Sequence, residues 1–227
     1  MSLILSIETS TPLCSVAIHR DGELLSTHET LEEGGHGKRL TRLIEAACEE
    51  ANLTIKDMDA IAISIGPGSY TGLRIGLATA KGLCFGLEKP LISLNTLKIM
   101  ANAWDKKGGT HLLLPMMDAR RMEVYAAVFD PQTQSEIVET AAVVLEENSF
   151  ENLNQPTLAF GNGALKWQAS CLNPMIRFSD EQPFPQAKYM GEDAYQAYLS
   201  QQFAALVQAE PEYLKEFMGT KPNIKSI

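Results

Sequence analysis

The chain has 227 residues, 45% of them apolar, with 28 acidic against 19 basic side chains and a formal net charge of −9. That length closes one large hydrophobic core or two small ones, and the apolar share excludes a disordered or fibrous polypeptide. The negative balance repels phosphate backbones, and the longest basic run, Lys106-Lys107, is too short for an electrostatic footprint, so unaided nucleic-acid binding is not expected.

Met1 to Ile7 is apolar but has no basic flank, and Glu8 cuts the run far short of a signal peptide or membrane span, which predicts a cytoplasmic protein without membrane contact. Leu3 to Ile7, Ser15 to Ile18 and Glu23 to His28 have strand character. Asp21-Gly22 joins the last two as a tight hairpin, since both residues tolerate positive φ. Leu40, Leu43, Ile44, Ala47, Cys48 and Ala51 then recur at helical spacing and form one apolar stripe. Ala60 to Ile65 is an Ile-rich buried strand that stops at Gly66-Pro67-Gly68. A second helix is expected from about Gly72 to Leu87, a short strand at Leu91 to Ser93, a helix near Leu94 to Trp104 and a linker from Lys106 to Thr110.

The second half repeats this order. Leu112 to Met117, Glu123 to Phe129 and Ile137 to Val144 are strand-like, Glu146 to Asn154 is a candidate helix, Leu158 to Phe160 a strand, and Gly161-Asn162-Gly163 opens another helix. A last helix is expected over about Met190 to Val207. Two copies of one βββαβα order imply two α/β lobes facing each other across a cleft, divided at residues 1–104 and 105–227, with the last helix packing back on the first lobe.

Chemistry concentrates in two places. The loop Gly66-Pro67-Gly68-Ser69-Tyr70-Thr71-Gly72 joins a buried strand to a helix, where exposed backbone N–H groups can hold an anion. It lacks the Gly-Lys-Ser/Thr of a Walker loop, and its glycines equally suit a tight turn with close packing. Glu8, Thr9 and Ser10, at the end of the first strand, stand where duplicated kinases and ATPases begin their phosphate-gripping hairpin. Gly66, Gly68, Ser69, Thr71 and Gly72 complete this candidate nucleotide-proximal set, although the Glu8 segment also reads as an ordinary strand end.

The helix that follows is apolar nearly all round. Leu73, Leu77, Ala80, Cys84 and Leu87 form one face; Ile75, Ala78, Gly82 and Phe85 form another; Arg74 and Lys81 mark a thin polar line. Gly72, Gly76 and Ala80 open a strip that another backbone can approach closely, from this chain or from a partner. On the partner reading, Gly76→Leu blocks association and leaves the lobe folded. Cys14, Cys48, Cys84 and Cys171 form no C-x-x-C pair and read as buried thiols in a reducing compartment. His19, His28, His36 and His111 are too scattered for a zinc site, and His36 in Gly34-Gly35-His36-Gly37 reads as part of a mobile loop leading into the first helix. Asp118-Ala119-Arg120-Arg121 lies between strands and either places charge in the cleft or forms paired surface charges.

Ile4 to Thr11, the Gly66 to Gly76 loop, Asp118-Ala119-Arg120, Gly161-Asn162-Gly163-Ala164 and Pro211-Glu212-Tyr213-Leu214-Lys215 together resemble the signature segments of the TsaB (YeaZ) family. The resemblance implies a two-lobed duplicated fold of the actin, sugar-kinase and heat-shock ATPase class. It also implies a catalytically silent subunit that binds TsaD, the catalytic paralogue, together with the ATPase TsaE, and that forms a homodimer when TsaD is absent. TsaD transfers threonylcarbamoyl from an adenylate made by TsaC to adenosine 37 of tRNA, so tRNA is met only through the complex.

By the same resemblance the two first-lobe helices pair with those of TsaD. The expected contacts are Leu40, Leu43, Ile44 and Ala47 on the first helix and Leu73, Arg74, Gly76, Leu77, Ala80 and Lys81 on the second. No cofactor of its own is implied; ATP or ADP belongs at the interface shared with TsaD. Where the paralogue carries a His-x-x-x-His metal pair this chain has Thr96 and Met100, neither of which replaces imidazole, so no metal and no catalytic residue are expected. The competing readings are an ATPase or kinase using the cleft directly, or a metallopeptidase-like protein, a label attached to this superfamily.

Overall fold

The computed structural model describes residues 1–31, 36–104, 109–181 and 183–215. Residues 34–35 of the loop before the first helix and 106–108 of the expected linker lie outside this set.

The first sheet contains β1 (Leu3–Glu8), β2 (Leu13–Arg20), β3 (Glu23–Leu31), β4 (Ala60–Gly66) and β5 (Leu91–Asn95), in the order β3-β2-β1-β4-β5. β1 pairs antiparallel with β2 and parallel with β4, so it is the central strand, and its Ile4, Leu5 and Ile7 are fully buried. A near-continuous apolar run is what a strand covered on both faces requires. The β2–β3 hairpin turns at Asp21 (φ 49°) and Gly22 (φ 86°), as the dipeptide dictates.

α1 (His36–Glu50) and α2 (Tyr70–Leu87) cover one face, packing Leu40, Ile44, Ala47, Leu77 and Ala80 on Leu5, Ile7, Ile61 and Ile63. α3 (Thr96–Asn102) and α5 (Gly191–Leu199) cover the other, packing Ile99, Ala194 and Ala197 around Ile4, Ala62 and Ile92. α3 begins two residues later than expected because Asn95 caps it, its Oδ1 accepting from Leu97 N (2.8 Å) and Lys98 N (3.2 Å). The opposite side of α3 packs Leu97, Met100 and Ala101 against Met117, Phe129 and Phe160, which wedges this helix between the lobes.

The second sheet contains β6 (Leu112–Asp118), β7 (Glu123–Phe129), β8 (Glu136–Val144), β9 (Thr157–Phe160) and β10 (Ile176–Phe178), in the order β10-β9-β6-β7-β8. Read from its third strand this is again 3-2-1-4-5, with the same parallel and antiparallel pairs, so the duplication extends to topology.

Its helices have shrunk. Glu146 to Asn154 forms turns in place of the expected helix, because its carbonyls are taken by side chains elsewhere: Glu146 O by Trp167 Nε1 (2.9 Å), Phe150 O and Leu153 O by Asn173 Nδ2 (2.9 and 3.1 Å). Phe150 at φ 58° also lies outside helical space. α4 (Leu165–Gln168) is a single turn around the buried Trp167. The last helix likewise stops at Leu199, well before the expected Val207: Gln201 at φ 54° reverses the chain, and Gln202 N donates to Ala197 O (2.8 Å).

Candidate functional site

The strand-end segment Glu8 to Thr11 and the Gly66 to Gly72 loop are folded onto each other. Ser69 N donates to Ser10 O (2.6 Å), Thr9 Oγ1 donates to Gly72 O (2.9 Å), and Ser69 Oγ caps α2 by accepting from Gly72 N (3.2 Å). A Cβ at Gly72 would lie 2.0 Å from Thr9 O, and one at Gly68 would lie 2.6 Å from Ser10 O. These glycines accommodate protein backbone, the close-packing alternative. Glu8, Thr9, Ser10, Gly66 and Gly72 are buried, while Ser69 and Thr71 remain exposed.

Glu8 is sealed completely. Its Oε1 accepts from Ser10 N (2.5 Å), whereas Oε2 has no partner among the described residues. Burial pushes its carboxyl above the usual carboxylate range; the Ser10 and Ser64 hydroxyls lie close enough to oppose the shift, yet neither reaches hydrogen-bond geometry with Oε2. An enclosed carboxyl with one oxygen already accepting from the backbone leaves no room for the six oxygen ligands of Mg²⁺. Burial, followed by the charge of Glu8, also pushes the neighbouring Cys14 thiol up to about 11.

Between the lobes the cleft retains about 40 Å³, lined by Thr11, Met100, Met117, Asn162 and the segment Pro183, Phe184 and Pro185. Small-molecule sites run from roughly 300 to 1,000 Å³, so this space suits a few waters at most. Pro183 to Pro185 forms one wall of it on the way to Ala187, whose N–H donates to the buried Ser15 hydroxyl (2.9 Å). Thr96 and Met100 are buried in α3, and among the described residues no group of three or more His, Cys, Asp or Glu is arranged to hold a metal ion.

The expected partner contacts need correction. Leu40, Ile44 and Ala47 on α1, and Leu73, Gly76, Leu77 and Ala80 on α2, are buried in this chain's own core. A Cβ at Gly76 would lie 2.2 Å from Thr9 Oγ1 and 3.0 Å from Ile63 Cδ1, so the glycine strip receives the β1 end of the same lobe, and Gly76→Leu would damage the lobe itself. Leu43 and Lys81 are half-buried, and only Arg74 is exposed.

Both of these cations hold the chain's own tail. Arg74 stacks on Tyr70 (3.9 Å to the ring centroid) and its Nε donates to Tyr213 Oη (2.8 Å). Lys81 Nζ donates to Val207 O and Ala209 O (both 3.1 Å). The strap from 202 to 215 also bonds Ala204 N to Leu91 O (2.8 Å) and Glu212 N to Ile65 O (2.7 Å), and Lys215 pairs with Glu123 of the second lobe. Sequence reading missed this strap; its one local signal was the segment Pro211 to Lys215.

The outward side of α2 is the second apolar face: Ala78, Gly82 and Phe85 are exposed, Ile75 is half-buried, and Phe85 is 80% accessible. A Cβ at Gly82 or Gly86 would meet nothing within 4 Å.

Comparison with known proteins agrees with this architecture. The family model for TsaD, tRNA N6-adenosine threonylcarbamoyltransferase, matches residues 30–216. The tRNA threonylcarbamoyladenosine biosynthesis protein TsaB of Escherichia coli is 33% identical over 225 residues, covering 96% of each chain. Its Haemophilus influenzae counterpart is 31% identical over 93% of each. Among solved structures, YeaZ from Pseudomonas aeruginosa superposes with a TM-score of 0.80 at 27% identity, covering 94% of this chain and all of the other. A further Pseudomonas aeruginosa structure, described as similar to peptidase YEAZ, gives 0.82 at 26%, covering 95% of this chain and all of that one.

Proposed function

The chain belongs to the TsaB (YeaZ) family of tRNA threonylcarbamoyladenosine biosynthesis proteins, and from that premise we propose that it is the non-catalytic subunit that docks and activates the TsaD-type enzyme. The observation that carries this reading is the outer face of α2, where a bare Gly82 notch lies beside an exposed Phe85 on a helix otherwise enclosed by its own sheet, α1 and tail.

The occupant is the first-lobe helix pair of TsaD. The model for that family aligns with this chain from 30 to 216, a span that includes α1 and α2, so the enzyme carries equivalent helices. Two like helices meeting at small residues can approach closely, and burial of Phe85 and Ile75 contributes on the order of 2 kcal/mol each. A second copy of this chain fits the same face when TsaD is absent. Docking biases the enzyme toward its active arrangement by differential contact, a population shift.

The narrow cleft and the enclosed Glu8 support a subunit without chemistry of its own over the ATPase reading. ATP or ADP is assigned to the interface shared with TsaD, TsaE engages the resulting complex, tRNA is met there, and the reaction is cytoplasmic. The test is co-elution with TsaD and tRNA modification using Gly82→Arg and Phe85→Asp. Neither variant should melt below the wild type, yet both should fail to co-elute and to support modification. Full modification by either variant would place docking elsewhere.

A further inference from the structure

We propose, resting on the function assigned above, that the turn between β6 and β7 is a phosphate contact: Arg120 and Arg121 grip the phosphodiester backbone of the tRNA brought to the assembly. Arg120 and Arg121 are held at φ 72° and 50°, a left-handed conformation in which glycine and asparagine are favoured. The β2–β3 hairpin meets a similar demand with Asp21-Gly22. Two consecutive arginines are an unfavourable choice for such a backbone, so their side chains must return something.

The turn is locked from beneath. Lys166 Nζ donates to Asp118 Oδ1, to Arg121 O (2.8 Å) and to Glu123 O; Arg120 N donates to Asp118 Oδ1 (3.0 Å); Asp118 N donates to Asn162 Oδ1 (2.9 Å). Strain that the surroundings over-determine in this way concentrates at ligand clamps.

Charge points the same way. Both arginines are exposed, and among the described residues neither guanidinium has a hydrogen-bond or ion-pair partner. The adjacent carboxylates are engaged elsewhere, Asp118 by Lys166 and Glu123 by Lys215. Arg120 keeps only an electrostatic pull from Asp118, which Lys166 already holds, and with Arg121 beside it leaves an excess of positive charge on a chain of net charge −9. Their planar forks match phosphate oxygens, and an acidic body around them confines any RNA to this point. Asn162 also lines the inter-lobe cavity, so the turn stands at the rim of the cleft. From here Tyr213, stacked with Tyr70 (5.1 Å between centroids), carries aromatic character toward the start of α2.

The test replaces the pair with residues the turn prefers, Arg120→Asn/Arg121→Gly, so that loss of function cannot come from unfolding. The double variant should melt higher than the wild type and co-elute normally with TsaD. It should bind an unmodified tRNA transcript several-fold more weakly, with the slope of log affinity against log[KCl] reduced by roughly one to two. Arg120→Lys/Arg121→Lys should keep most of that slope. Titration of the chain alone at about 50 mM KCl is a second arm; if the wild type fails to assemble, which sinks the docking reading, this arm still decides the arginine contact. Unchanged tRNA affinity and slope in both arms overturns the proposal. Loss of co-elution with unchanged tRNA binding also overturns it, and assigns the arginines to an acidic protein surface instead.

Discussion

Glu8 shows how far a residue's role depends on neighbours distant in sequence. Its place at the end of β1 put it in the candidate nucleotide-proximal set, but the Gly68 and Gly72 backbone closes over Thr9 and Ser10 and the Glu8 carboxyl is fully buried. Nothing within the local sequence announces that closure, because the covering atoms come from some sixty residues further on. The sign of the pH effect follows. A carboxyl whose folded value is raised favours the protonated native state, so its contribution is full below the unfolded value of 4.5 and is lost as pH rises through the folded value. Over that window stability should fall by up to about 1.4 kcal/mol per pH unit, and Glu8→Gln should flatten the decline, as chemical denaturation across pH will show. Gly76 gives a second residue-level expectation. Its added Cβ would meet Thr9 Oγ1 at 2.2 Å, so Gly76→Ala should cost about 1–3 kcal/mol in the isolated chain, read by urea denaturation. An unchanged midpoint would mean that the strip is not packed inward.

α2 combines three surfaces in 18 residues. Helical periodicity separated its two apolar faces correctly, but it could not say which one meets the sheet, since both are rich in small and aliphatic residues. The glycine strip suggested a partner and proved internal; the face with Gly82 and Phe85 is the one left open. This separates stability from docking. Gly82→Ala should stabilise the isolated chain by up to about 1 kcal/mol through helix propensity, since its Cβ meets nothing, whereas Gly82→Arg should abolish pairing with TsaD. The tail supplies the opposite case. Its contacts are mostly backbone carbonyls and one aromatic stack, features without periodicity, and so residues 200–207 read as a longer helix than the chain forms. Tyr213→Ala should remove the stack on Tyr70 and lower stability by about 1 kcal/mol, detected as a lower melting temperature.

In the whole molecule, duplication was legible because strand alternation and turn chemistry repeat in order, and the sheets follow the same 3-2-1-4-5 path. The loss of second-lobe helices was not, because Glu146 to Asn154 has acceptable helical composition and is unwound by Trp167 and Asn173 taking its carbonyls and by Phe150 at positive φ. The lining of the cleft by Pro183, Phe184 and Pro185 was equally invisible, being a tertiary encounter between a loop and two lobes. On the proposed function, a narrow cleft beside the exposed face of α2 suits a molecule that is held by an enzyme and acts on it. The most direct measurement is formation of threonylcarbamoyladenosine on a tRNA transcript by purified TsaD, TsaE and TsaC, with the wild-type chain, with Phe85→Asp, or with neither. Modification should require the wild-type chain and stay at background with Phe85→Asp; equal modification in all three reactions would contradict the account.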